Sequence, residues 1–159
     1  MKTKITTIIC GIVLSCILTS FFSLQQTATK LLLTNAKTNK SINVCDKNSV
    51  QKIEAVLGGA ITLDKEVPEA NEEPVFTFTY DGLTIEIQND LVRNVSITSK
   101  KWKLNTLTVG IPLEQMLTKF ERSEFNYIGN PRFKVKDSKA ILFTETDQTN
   151  KVKKIGITF

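Results

Sequence analysis

The chain has 159 residues, 41% hydrophobic and 23% charged, with 7 Gly and 4 Pro. That is enough apolar material for a packed core, and it excludes disordered, collagen-like and linker-like chains. The formal charge is +5, with three Cys and no His, which removes every His-dependent triad, dyad and metal site. No Ser-nucleophile elbow, phosphate-binding loop or cluster of metal ligands is present either, so neither catalysis nor a cofactor is expected.

Met1 to Lys4 form a short basic head, and Ile5 to Leu24 then run for 20 residues without a charge. Residues 1–28 therefore read as a signal peptide or an N-terminal membrane anchor, since 20 helical residues rise about 30 Å. A third reading takes Val13-Leu14-Ser15-Cys16 as a lipobox with Cys16 as the lipidated residue. All three put the rest of the chain outside the cytoplasm, in the cell envelope or secreted. With cleavage after Ala28, 19 basic and 16 acidic residues remain, a net of +3, and Cys45 is the only thiol left, too few for an intramolecular disulfide.

Residues 29–44, rich in Thr, Asn and Lys, read as a flexible tether. A helix is expected next: Asp46 and Asn48-Ser49 offer N-caps, Val50, Ile53, Val56 and Leu57 form an apolar stripe, and Gly58-Gly59 is a stop. The acidic stretch from Ala60 to Pro74 reads as a surface loop, and its Glu72-Glu73 pair as solvated charge rather than an acid-base couple. Val75–Tyr80, Leu83–Ile87 and Val92–Thr98 alternate apolar and polar residues around the turns Asp81-Gly82 and Gln88-Asn89-Asp90, predicting a three-stranded meander.

The order then recurs. Gly110-Ile111-Pro112 introduces Leu113, Met116, Leu117 and Phe120 at helical spacing; Pro131–Val135 answers Pro74–Phe78; and Lys151–Thr158 matches Leu91–Thr98, at offsets of 63, 57 and 60 residues. The expected product is an α+β domain over 45–159 made of two units, about 45–105 and 106–159. Each would be a short helix followed by a three-stranded antiparallel meander, with both helices packed on one face of a mostly antiparallel sheet.

Leu107-Thr108-Val109-Gly110-Ile111-Pro112-Leu113-Glu114-Gln115-Met116-Leu117 resembles the strand, Val-Gly, small-helix opening of the SmpA/BamE-type outer-membrane lipoproteins. The doubled helix-plus-sheet pattern is similar to the tandem arrangement of the beta-lactamase inhibitory protein. The resemblance implies an extracytoplasmic, non-enzymatic protein-binding domain and assigns no functional residue.

Charge is divided along the chain: Asp46 to Asp90 holds 10 acidic and 3 basic residues, a net of −7, and Leu91 to Phe159 holds 13 basic and 6 acidic, a net of +7. Either the two ends steer different partners or unlike halves attract each other across their junction. Basic residues near an envelope also suit anionic lipid head groups, whereas nucleic acid is not expected as a partner of an exported domain. The candidate partner contacts are Lys100, Lys101, Trp102 and Lys103 in the connector, with Phe125 and Tyr127 as a second set. Trp102 either serves as a contact there or folds back to cap the core. The functional expectation is a non-catalytic protein-binding domain of unknown target, or alternatively a secreted inhibitor of a hydrolase; oligomeric state is left open.

Overall fold

The computed structural model describes residues 30–122 and 131–159. The first elements arise where a tether was expected. Leu31 and Leu33 are buried on either side of the exposed Leu32, and Ile42 and Val44 on either side of Asn43, and this period of two lets β1 (Leu32–Asn35) and β2 (Ser41–Asn43) bury one face. β1 lies between β2 and β7 (Trp102–Leu104), with Leu33 opposite both Ile42 and Leu104, in a small three-stranded sheet. Residues 30–44 are therefore part of the core and not a linker.

α1 (Val50–Leu57) forms where its signals stand. Ser49 Oγ accepts the Lys52 N–H at 3.2 Å, the Gly58 N–H closes on the Glu54 carbonyl at 2.9 Å, and Gly58 takes the positive φ of 95° that ends the helix. Ile53 and Leu57 are its buried face. Ahead of it, the buried Asn48 amide donates to the Asn43 and Asp46 carbonyls at 2.9 and 2.7 Å, tying the helix start to β2.

The large sheet has eight antiparallel strands in the order β3-β4-β5-β6-β11-β10-β9-β8. β3 (Thr62–Glu66), β4 (Val75–Tyr80), β5 (Leu83–Gln88) and β6 (Leu91–Ile97) make one side; β8 (Glu121–Arg122), β9 (Arg132–Lys134), β10 (Ile141–Thr146) and β11 (Val152–Thr158) make the other. β6 and β11 meet along a central seam in which Ile155 faces Ile97, Gly156 faces Ser96 and Ile157 faces Val95.

Both central strands solve the same problem. In β6 the apolar Val92 and Val95 are three apart, as are Val152 and Ile155 in β11, so strict alternation would expose one of each pair. A bulge corrects this. Asn94 faces Glu86 and Val92 faces Ile87, leaving Arg93 as the extra residue; Lys154 faces Glu145 and Val152 faces Thr146, leaving Lys153 as the extra one. Both extra residues are exposed and all four apolar ones are buried. The apolar faces of the two sheets and α1 then close a single core around Phe78, Ile85, Ile97, Phe133, Leu142 and Ile155.

The expected architecture is overturned on four counts. Among the described residues the fold is predominantly β, with eleven strands, one eight-residue helix and one single turn of helix, α2 (Glu114–Leu117), so no second helix packs beside the first. Each side of the large sheet has four strands rather than three, because the presumed loop 60–74 contains β3 and β8 follows α2 on the other side. A second sheet, built from the presumed tether and connector, is added to it. The register also rejects the match of Pro131–Phe133 to Pro74–Phe76: Phe133 faces Leu142, while it is Tyr80 that faces the corresponding Leu83.

Ahead of α2 the backbone is tied to the start of β11 and the residues before it: the Gly110 N–H reaches the Val152 carbonyl at 2.6 Å, the Val152 N–H the Ile111 carbonyl at 2.9 Å, and the Leu113 N–H the Asn150 carbonyl at 3.0 Å. Leu113 at the N-cap offers no capping side chain.

Candidate functional site

The connector between the two sides of the large sheet runs beside the β4–β5 turn. Asp81-Gly82 turns tightly with Gly82 at φ 75°, and a Cβ there would lie 2.1 Å from the Ser99 Cβ, so only glycine lets the connector pass. Trp102 then folds inward. It is 4% exposed, its ring centre is 5.3 Å from that of Tyr80 at a 58° tilt, and its Nε1–H donates to the Asp81 carbonyl at 3.0 Å. Tyr80 is held in turn by its hydroxyl, which donates to the Gly58 carbonyl at 3.1 Å. Burial, with a smaller contribution from the Glu54 carboxylate, pushes the Tyr80 hydroxyl up to about 12.

Trp102 is therefore a core residue joining β7, the β4–β5 turn and the end of α1, and its ring is not a free contact surface. Its neighbours differ. Lys101 pairs with the Asp81 carboxylate on the exposed surface, and Lys100 and Lys101 line a groove of about 710 Å³ with Lys37, Leu57, Ile61 and Tyr80. Lys103, opposite Thr34 in β1, points away from the face that carries Trp102 and Leu104. Cys16, Phe125 and Tyr127 lie outside the described residues.

Sequence reasoning missed the feature that continues this groove. β3 is the outermost strand of the large sheet, and among the described residues no strand pairs with its far side. All five of its residues are exposed. Leu63 lies opposite the buried Phe78, so it faces the core side of the sheet, yet it is 40% exposed because the cover stops short of it. Ile61 at the groove is 71% exposed and Val67 beyond β3 is 52% exposed, while Lys65 lays its ammonium 5.8 Å from the Phe76 ring centre. The signal was the alternation Ile61-x-Leu63-x-Lys65-x-Val67, hidden by the acidic, proline-bounded composition around it.

Among the described residues no group of three or more His, Cys, Asp or Glu side chains could hold a metal ion, and no helix is long and apolar enough to cross a membrane. Cys45 is the one free thiol among them, half-buried and pushed up by that burial; weaker opposing effects come from hydrogen bonds to Ser138 and the Leu31 backbone. Comparison with family models, curated proteins and solved structures found no match for this chain.

Proposed function

We propose that this chain is an extracytoplasmic, non-catalytic protein-binding domain that receives an extended segment of its target along the free edge of β3. The observation that carries the reading is an edge strand with no partner on its far side among the described residues, with Leu63 in it and Ile61 and Val67 flanking it all exposed, continuous with the groove over Tyr80. An added strand would satisfy the outward backbone groups of β3, and burying one Leu or Ile side chain fully stabilises such a complex by roughly 1.5–3 kcal/mol.

Charge selects the kind of segment. From β3 to β4 the chain carries Asp64, Glu66, Glu69, Glu72 and Glu73 against Lys65 alone, so along β3 itself a basic stretch is favoured and two β3 edges from separate copies repel each other, whereas the groove end, with Lys37, Lys100 and Lys101 against Asp81, favours an acidic or neutral end of the same segment. The extracytoplasmic part of the reading rests on the basic head and the apolar run from Ile5 to Leu24.

A photo-crosslinking residue placed at Leu63 in the full chain, expressed in its host, should give one discrete adduct. The same residue at Thr84, on the opposite face of the sheet, should give none. Equal labelling at both positions, or an adduct that persists after Ile61→Asp in the Leu63-labelled chain, counts against this edge. A hydrolase in the adduct, with its activity suppressed by the purified chain, would select the inhibitor form of the reading.

A further inference from the structure

A second large groove, about 880 Å³, lies on the side of the sheet away from the acidic β3 edge. Among the described residues it is lined by Lys30, Lys119, Lys134, Lys136 and Lys139, with Asp137 as the one acidic residue in its wall. All five lysines are exposed. Three of them come from β9 and the turn that follows, where Val135 is buried between the outward Lys134 and Lys136 and where Ala140 is buried beside Lys139. The turn is fixed by Asp137 at φ 55° and by the Ser138 Oγ, which accepts the Ala140 N–H at 3.0 Å. Lys119 is steadied by its ammonium, which donates to Thr106 Oγ1 at 2.6 Å.

Lys30 belongs to this rim because of Asn105. The Asn105 amide donates to the Lys30 carbonyl at 3.2 Å and its oxygen accepts the Leu32 N–H at 2.8 Å, so the first described residue of the fold is pinned at the lip of the groove. The apolar run ends at Leu24, and Gln25, Gln26, Thr27, Ala28 and Thr29 separate it from Lys30. Five residues span at most about 18 Å even when fully extended. Whatever surface Ile5 to Leu24 enters, the lysine rim stays close to it.

We infer that this groove docks the domain onto phosphate-bearing anionic lipid head groups of the membrane that the N-terminal segment enters. The inference rests on reading residues 1–28 as a segment that reaches the membrane. The described lining, with five lysines against Asp137, is basic and complements an anionic leaflet, and a hydrophobic segment beside a basic patch is the two-signal arrangement that fixes orientation as well as attachment. With the lysine groove on the head groups, the acidic β3 edge is not drawn to the same surface and stays available to another partner.

Trp102 is the only Trp in the chain and serves as the donor for a test. The full chain is reconstituted in vesicles of phosphatidylcholine alone, or of equal parts phosphatidylcholine and phosphatidylglycerol, each carrying a dansyl-labelled lipid. Energy transfer from Trp102 should be greater by roughly twofold in the anionic vesicles. The excess should vanish near 1 M salt, where the screening length falls to about 3 Å. It should also vanish when Lys30, Lys134, Lys136 and Lys139 are all changed to Gln, but not when Lys37 and Lys153, away from the groove, are changed. Near-ultraviolet circular dichroism identical to that of the parent chain confirms that the substituted chains are folded. If the full chain fails to float even with neutral vesicles, the membrane-segment reading fails and the inference falls with it. If it floats and the transfer is the same in both vesicle types, docking by the groove is overturned while the segment reading stands.

Discussion

Two sides of one sheet, paired in the same order outward from the Ser96–Gly156 contact, end in opposite chemistry. β6-β5-β4-β3 leads to a five-residue edge with exposed apolar residues and acidic neighbours; β11-β10-β9-β8 leads to a two-residue strand and a turn crowded with lysines. Both sides use a bulge at the matching place in the central strand and bury the same kind of apolar residues there. Backbone pairing and core packing are thus shared, and the contrast lies in side chains that the pairing does not constrain. One architecture can present two poles because solvent-facing positions in a sheet are chosen independently of its core.

The strongest way to break the comparison is to damage what both sides share. Ile97 is fully buried and faces Leu83 within its own side and Ile155 across the seam. Ile97→Ala should cost about 2–5 kcal/mol in urea unfolding, and Trp102 fluorescence and circular dichroism should still report one coincident transition. Separate transitions would mean that the two sides fold as independent units.

Glycines sharpen the contrast next. Gly82→Ala combines a φ of 75° with a collision against Ser99, and should lose about 1–3 kcal/mol. Gly156 sits on the seam without a positive φ, and a Cβ there would meet only the far end of the Phe143 ring, 2.0 Å away. Gly156→Ala should therefore cost less, about 1 kcal/mol, and the order of the two unfolding midpoints checks this.

The acidic side also carries the buried hydroxyl. Because Tyr80 ionises near 12 when folded and near the ordinary 10 when unfolded, its contribution is complete below pH 10 and is lost as pH rises from 10 toward 12. Alkaline unfolding followed by phenolate absorbance should show that loss, and Tyr80→Phe should remove it. The smallest effect belongs to the exposed Lys101–Asp81 pair: Lys101→Ala should change stability by no more than about 1 kcal/mol, as a surface ion pair does. A larger loss would mean that the connector, not Trp102 alone, holds the groove together.

What could be read from sequence follows from how local each signal is. α1 carries its own cap, stripe and stop within ten residues, and the hairpin of β4 and β5 carries Asp81-Gly82 between two alternating runs. Those elements form where the sequence places them. The second helix is only a single turn: its apolar stripe is local too, but it has no capping side chain at Leu113, and the backbone just ahead of it pairs with residues 150–152, which no window around Leu113 contains. In the candidate site, Lys100 and Lys101 were legible as exposed charge, whereas Trp102 was not legible as core. An aromatic between lysines looks the same in sequence whether the ring turns out to solvent or in against Tyr80.

The sequence by itself determined that no His is present, that charge is split between two stretches of the chain, and that the capped helix α1 and the hairpin of β4 and β5 form where their local signals stand. Only the tertiary structure decided that Leu31, Leu33, Ile42 and Val44 are core, that β3 is an edge, and that five lysines from three separate stretches of chain share one rim. The physical reason is distance along the chain. Caps and turns are completed by neighbours, but a polar-looking strand becomes buried, and scattered lysines become a surface, only when partners far away in sequence arrive beside them.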